Sequence, residues 1–395
     1  MSEAKPRIAF VSPRYGLEVN GGAEQYCRLV AEHLLDRYDV TVYTTCAVDY
    51  TTWANVYPEG ASELNGVHVL RFPTARQRSR LGFGLINKRM QLLPGHTDGE
   101  ERRWLAAQGP CCPALIEALK REGAGWRAVL FVTYLYYPTV LGMGLGLKNA
   151  LLIPTLHDES AAYLRCFDGV FAAARGIVYN TPEERAFAAR RFPFAADTPS
   201  CIAGLGIDPP PAGFAPLPEP LRGAPYLVYA GRIERGKGCG EMFEFFRRYK
   251  RERGGDLRLA LMGKAAMEIP SEPDIVNLGF VSEEIKQTVM ANSLALTLFS
   301  HFESLSIVVL ESMNLGRPVL VSAHCDVLRG HCERSKAGLY FADYPGFAAA
   351  VDNLLAGGAG YAALCQAGPA YVADNYRWDR VTARFAALID AAGKE

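Results

Sequence analysis

The chain has 395 residues, is 49% hydrophobic and balances 42 basic against 42 acidic side chains. That balance excludes the basic face with which a nucleic-acid-binding protein replaces phosphate counterions. The length suits two cores of ordinary domain size, so small-molecule chemistry in a two-domain protein is the starting expectation.

From the N-terminus, "MSEAKPRIAFV" runs straight into a short apolar strand. It lacks the apolar region and small-residue cleavage site of a secretory signal, which leads to an expected cytoplasmic location. "RIAFVS" reads as a strand, and in "GAEQYCRLVAEHLLDRY" the apolar residues Tyr26, Val30, Leu34 and Leu35 recur at helical spacing; "DVTVYTT" and "VHVLRF" follow as strands. Residues 128–147 carry no charge and approach the length of a membrane span, but Pro138, Gly142, Gly144 and Gly146 interrupt them. We read this stretch as a strand, "AVLFVTY", and a Pro-initiated helix, followed by another strand in "ALLIPTL".

Seven prolines fall in residues 204–225, a composition shift that marks a domain boundary. Beyond it the scheme repeats, with "YLVYAGRI", "RLALMG", "IVNLGF", "LALTLF" and "PVLVS" as strands and helices between them. "NYRWDRVTARFAALIDAA" closes the chain as an amphipathic helix with Trp378, Val381 and Phe385 on one side. This alternation predicts two doubly wound α/β, Rossmann-like domains, residues 1–206 and 207–375, with residues 376–395 as a terminal helix. Ligands of such folds bind beyond the carboxyl ends of the strands, here in a central cleft between the two sheets.

Candidate chemistry clusters at those strand ends. Gly21 and Gly22 precede the first long helix and offer close approach and free amides to phosphate or sugar oxygens, although a double glycine also makes ordinary turns. The spacing fits neither a dinucleotide fingerprint nor a Walker loop. In "GRIERGKGCGEMF", Arg232 and Lys237 flank a turn into a helix, two cations able to neutralise a diphosphate leaving group without a metal. His157, with Asp158 and Glu159, lies at the end of a strand; alone it reads as a structural histidine, and it becomes a catalytic candidate in company with the other motifs.

In "HFESLSIVVLESMNLGRPV", Glu303 and Glu311 bracket an apolar run. Eight residues of helix span about 12 Å, comparable with the separation of hexose and ribose in a nucleotide sugar. Glu303 is therefore expected to meet the sugar and Glu311 the ribose, with the amides of Leu305, Ser306 and Ile307 as a helix N-terminus facing phosphate and sugar. A plain surface pair of glutamates is the alternative.

This set of motifs resembles the retaining GT-B glycosyltransferases of glycosyltransferase family 4, the glycosyl transferases group 1. Glu303 to Glu311 matches that family's Glu-x7-Glu signature, "AGRIERGKG" its phosphate loop, and "NGGAE", "LHDE", "GLGID" and "RWDRV" fall in the family's order. The resemblance implies a GT-B fold with an acceptor-binding first domain, a donor-binding second domain and a last helix packing back towards the first. It implies metal-independent transfer, with retention, from a nucleoside diphosphate sugar (UDP- or GDP-linked) to a glycan, glycolipid or small-molecule glycoside, as in polysaccharide biosynthesis. Arg232 and Lys237 would hold the diphosphate, Glu303 with the amides after it the sugar, Glu311 the ribose, His157 the donor sugar near the reaction centre, and the main chain of Phe280 and Val281 the base. The family's glycine-rich turn after the first glutamate is Ser304-Leu305-Ser306 here.

No cofactor is expected. The ten cysteines include no Cys-x-x-Cys pair, and a zinc site at His324, Cys325, His331 and Cys332 is set aside in favour of reduced core thiols. Residues 76–90, with Arg76, Arg78, Arg80, Lys88 and Arg89 among apolar residues, read either as a peripheral dock on the inner face of an anionic membrane or as a solvated loop and helix beside the acceptor groove, the second being preferred. A nucleotide-sugar epimerase and a non-catalytic sugar-nucleotide binding protein remain as rival readings.

Overall fold

Runs of β-branched and aromatic residues become buried strands throughout the chain. The computed structural model describes residues 4–19, 21–92 and 95–392, and the chain divides into two units, Met1–Gly206 with Trp378–Glu395, and Ile207–Arg377.

In the first unit, β1 (Arg7–Val11), α1 (Gly22–His33) and β2 (Asp39–Thr45) open the fold, and β3 (Gly60–Leu64) and β4 (Val67–Phe72) make a hairpin. Two helices, α2 (Arg80–Leu92) and α3 (Asp98–Gln108), then stand between β4 and the next regular unit. That unit runs α4 (Pro113–Glu122), β5 (Ala128–Val132), α5 (Tyr137–Met143), β6 (Ala150–Ile153), α6 (Asp168–Ala173), β7 (Gly176–Tyr179), α7 (Pro182–Arg191) and β8 (Ser200–Ile202). The eight strands are ordered β3-β4-β2-β1-β5-β6-β7-β8. All neighbours are parallel except β3 and β4. Every residue of β5 and β6 is buried, as expected of strands covered on both faces. The antiparallel edge departs from the expected all-parallel scheme. Its strand "GASEL" is mostly exposed and lacks an apolar pattern, and it is turned back by Asn65 and Gly66, both at positive φ (51° and 83°).

The second unit contains β9 (Tyr226–Ala230), α8 (Cys239–Arg253), β10 (Arg258–Met262), β11 (Ile275–Gly279), α9 (Glu283–Ala291), β12 (Ala295–Leu298), α10 (Ile307–Asn314), β13 (Val319–Ser322), α11 (Asp326–Ser335), β14 (Gly338–Phe341), α12 (Tyr344–Ala356) and α13 (Gly358–Asn375). Its six parallel strands are ordered β11-β10-β9-β12-β13-β14. The chain then returns to the first unit as α14 (Trp378–Ala392), burying Val381, Phe385, Leu388 and Ile389, and Trp378 stacks on His33 of α1 with ring centroids 3.5 Å apart. The fold is thus two doubly wound α/β units with the last helix packed on the first.

In each sheet the strand order reverses once, between β1 and β5 and between β9 and β12. Successive crossovers lead away in opposite directions at such a point, so the loops after those strands part and leave a crevice. Among the described residues no helix is long and apolar enough to cross a membrane.

Candidate active site

The crevice of the second unit lies between the loops that follow β9 and β12, and those loops carry the cations and the acid of the sequence motifs. After β9 the chain turns through Arg232 and a short 3-10 turn, Arg235–Lys237, into α8. Gly238 makes this turn feasible: its φ is 72°, and a Cβ there would overlap the carbonyl of Phe299, directly after β12. That close approach brings the two loops together. Lys237 Nζ lies 2.8 Å from Glu303 Oε1, with the glutamate largely buried. Arg232 shares the loop and turns Nη1 towards Glu234, 3.3 Å away, while its own carbonyl accepts a hydrogen bond of 2.7 Å from the Tyr229 hydroxyl.

The turn from Glu303 to α10 keeps that glutamate ahead of the helix, as the motif suggested, but the helix opens past Leu305 and Ser306, two of the residues expected to begin it. Ser306 sits in the left-handed region (φ 63°, ψ 74°), and the helix starts only at Ile307. Glu303 is therefore in a turn, and Glu311 is in the second turn of an eight-residue helix. The helical rise does not set the distance between the two carboxylates. The left-handed conformation, open to glycine at no steric cost, is adopted here by a serine, at a strain of about 1–2 kcal/mol.

His331, weighed in the sequence only as a zinc ligand, holds that strained turn. It is fully buried on α11; its Nε2 lies 2.8 Å from the Leu305 carbonyl and its Nδ1 3.1 Å from the Tyr371 hydroxyl. Burial pushes its pKa down to about 4, with Arg334 acting in the same direction, so the imidazole is neutral. A neutral ring that donates from Nε2 to the carbonyl must accept at Nδ1 from the tyrosine. The Tyr371 hydroxyl lies in turn 3.3 Å from that of Tyr376.

Glu311 points to α9. Lys286 Nζ lies 2.9 Å from Glu311 Oε1 and 2.9 Å from Glu283. Burial raises the carboxyl of Glu311 above the usual range, opposed by the lysine; on Lys286 burial acts against the charge, and the two carboxylates outweigh it. Because α9 begins right after Phe280, Val281 and the cap Ser282, this pair ties the end of β11 to α10. Phe280 is 77% exposed. Ser304, Leu305, Ser306 and Ile307 complete the turn, with Leu305 and Ser306 buried.

The remaining candidates belong to the first unit. Gly21 precedes α1, and a Cβ on it would overlap the carboxylate of Glu24, which forms a buried ion pair with Arg14 at 2.5 Å. That pair, unread in the sequence, accounts for Gly21 by packing, while a Cβ on Gly22 would meet open space. His157 follows β6 in a loop; its Nδ1 is 3.8 Å from Glu159, which accepts a 2.6 Å hydrogen bond from Tyr134. Glu184 on α7 fixes the loop by accepting from the amides of Leu156 (2.6 Å) and Asn180 (2.5 Å); burial raises its pKa to about 8, and those amides pull the other way.

All ten cysteines are free. Among the described residues no three His, Cys, Asp or Glu side chains are grouped to hold a metal ion, and the His324–Cys332 segment gives its histidines to carbonyls, His324 Nε2 at 2.9 Å from Ala342 and His331 to Leu305.

Residues 224–357, which include Arg232, Lys237, Phe280, Val281, Glu303 and Glu311, match the family model of the glycosyl transferases group 1. Three solved structures share the fold over nearly the full length of both chains. Sucrose-phosphate synthase from Thermosynechococcus elongatus superposes with TM-score 0.69 at 17% identity, covering 97% of this chain and 98% of that one. The E. coli trehalose-6-phosphate structure bound with UDP-2-fluoro glucose gives 0.70 at 11% identity (98% and 99%). The Anabaena protein Alr3699/HepE in complex with UDP and glucose gives 0.67 at 14% identity (98% and 100%). No curated protein sequence matches the chain. The two Rossmann-like units have the GT-B architecture, and the chain is a glycosyltransferase. Its second unit carries the group 1 domain.

Proposed function

We propose that the protein transfers a sugar, with retention and without a metal, from a UDP- or GDP-sugar to a hydroxyl of a glycan, glycolipid or small-molecule glycoside, as a family 4 enzyme. The observation that carries this reading is the meeting of Lys237 and Glu303 at 2.8 Å at the strand-order reversal of the second unit. A cation and an acid are fixed there beside a helix N-terminus before any ligand arrives. Two structural neighbours are complexes with UDP or a UDP-sugar analogue, which favours a UDP donor.

In this reading the bond between the anomeric carbon and the β-phosphate breaks, and negative charge grows on the departing diphosphate. Lys237 and Arg232 neutralise that charge, and the amides of Leu305, Ser306 and Ile307 at the start of α10 donate to phosphate and sugar. Glu303 orients the sugar hydroxyls, Glu311 accepts from the ribose, and the backbone at Phe280 and Val281 borders the base. His157 is kept as a catalytic candidate of the first unit, oriented by Glu159, and the amides beyond Gly21 and Gly22 as a donor-side contact. The first unit takes the acceptor. No cofactor is required, and the site is cytoplasmic, with residues 76–90 as the segment that would meet a membrane surface.

A thermal-shift screen of UDP, GDP and their sugars identifies the donor; NMR of the product formed with a simple glycoside then reads the anomeric configuration. A retained configuration supports the proposal. Inversion removes the family 4 mechanism, and conversion of the donor to its epimer without an acceptor makes the protein an epimerase.

A further inference from the structure

A cavity of about 300 Å³ opens in the first unit at the carboxyl ends of β2, β4, β5 and β6. Its apolar wall includes Phe83 and Met90 of α2, Trp104 of α3 and Leu164. Two charged residues line it as well, Arg78 and Glu159.

The two charges are held in contrasting ways. Glu159 is matched by the Tyr134 hydroxyl at 2.6 Å and by His157 at 3.8 Å. Among the described residues the groups in contact with the Arg78 guanidinium are neutral: the Tyr50 carbonyl at 3.1 Å, the Gln108 side-chain oxygen, and the rings of Phe83 and Trp53, whose centroids are 3.9 Å and 5.9 Å from the guanidinium carbon. Asp49 acts on Arg78 only from beyond ion-pair distance, and burial lowers the arginine's pKa. A half-buried guanidinium fixed by two carbonyl-type acceptors and an aromatic face is preorganised, yet among the described residues no carboxylate lies within ion-pair distance of it. Burying a charge without a counter-charge is costly, and such sites are completed by an anion. A fixed arginine fork suits the paired oxygens of a phosphate or carboxylate.

Building on the glycosyltransferase reading above, we infer that this cavity binds the acceptor and that the acceptor is an anionic amphiphile: a phosphate or carboxylate at Arg78 joined to an apolar or aromatic body against Phe83, Met90, Trp104 and Leu164. The hydroxyl that receives the sugar lies at the Glu159 and His157 edge. A neutral oligosaccharide leaves both the arginine and the apolar wall unmatched.

The test is calorimetric titration of the full chain with 1-naphthyl phosphate, 1-naphthoate, neutral 1-naphthol and inorganic phosphate, each repeated in the Arg78→Gln and Arg78→Lys variants. One charge-assisted contact is worth about tenfold or more in affinity. The wild type is expected to bind one of the anionic naphthyl probes at least that much tighter than naphthol and tighter than inorganic phosphate. The preferred probe assigns the anion as phosphate or carboxylate. Arg78→Gln should abolish the preference over naphthol, and Arg78→Lys should keep part of it. Equal binding of charged and neutral probes by the wild type, no saturable binding of any probe, or an undiminished preference in Arg78→Gln overturns the inference. UDP and GDP are titrated into the same samples. Binding of either confirms that each variant is folded and tests the donor reading separately: failure of both to bind the wild type refutes the glycosyltransferase proposal whatever the naphthyl probes do.

Discussion

Replacing His331 tests whether the Ser304–Ser306 turn is held from behind. His331→Phe removes the donor to the Leu305 carbonyl and the acceptor for the Tyr371 hydroxyl, both inside the fold. The Tyr371 hydroxyl keeps Tyr376 as a partner, so the buried group left unmatched is the Leu305 carbonyl, and the variant should be about 1–3 kcal/mol less stable at pH 7.5. The imidazole adds a pH signature. Its pKa is about 4 in the folded chain against an ordinary value of 6.5. The unfolded chain therefore takes up a proton, between pH 6.5 and 4, that the native chain refuses. The stability tied to the neutral ring is full above pH 6.5 and falls away as the pH drops, by about 1.4 kcal/mol per unit and about 3 kcal/mol in all. Urea unfolding of wild type and variant at pH 7.5 and 5.0 should show their gap shrinking by about 2 kcal/mol at the lower pH. His331→Gln, which can still donate to Leu305, should recover part of the stability without the pH term. Hydrogen exchange at the amides of residues 304–308 should quicken in His331→Phe and return towards wild type in His331→Gln. A gap independent of pH, or exchange in the turn that is the same in all three proteins, would refute the role assigned to His331.

Glu311→Gln should weaken UDP about tenfold while leaving 2′-deoxy-UDP nearly unchanged, since one charged hydrogen bond to ribose is lost; parallel titrations of the two nucleotides check this. Gly238→Ala forces a left-handed alanine against the Phe299 carbonyl, and should cost at least about 1–2 kcal/mol in thermal or urea unfolding. Helix α2 exposes Leu81 and Leu85 beside Arg80 and Lys88. Co-sedimentation with vesicles containing anionic phosphatidylglycerol, but not with neutral ones, is expected if residues 76–90 dock on a membrane, and Leu81→Ser with Leu85→Ser should reduce it.

The parts of the fold written in local pattern were legible. The apolar runs of β9, β10, β12 and β13, the Pro-punctuated stretch that became β5, α5 and β6, and the amphipathic α14 all follow from periodicity and breakers. The edge strand β3 escaped because its residues are polar and exposed, although Asn65-Gly66 is a strong hairpin signal. The two loops holding Lys237 and Glu303 could be placed at strand ends, but their contact depends on the β9–β12 pairing, which local pattern does not encode. Likewise, the motif placed Glu303 in a turn and the helix start at Leu305 to Ile307, whereas the helix begins only at Ile307, after Ser306 in a conformation that a serine seldom adopts. The Arg14–Glu24 pair and the actual role of His331, which local spacing marked only as a zinc ligand, were out of reach because they come from tertiary contact: His331 serves a carbonyl 26 residues away.

Titration of the full chain with UDP and with GDP in excess chelator tests the central claim most directly, with Lys237→Ala beside the wild type. The Lys237–Glu303 pair is about one-third exposed on the lysine side and contributes little to stability, about 0–1 kcal/mol, so the variant should fold normally. The account requires saturable binding of one of the two by the wild type without a divalent cation and a loss of about 10- to 100-fold in Lys237→Ala. Nucleotide binding that appears only when magnesium is restored, or that Lys237→Ala leaves intact, would contradict it.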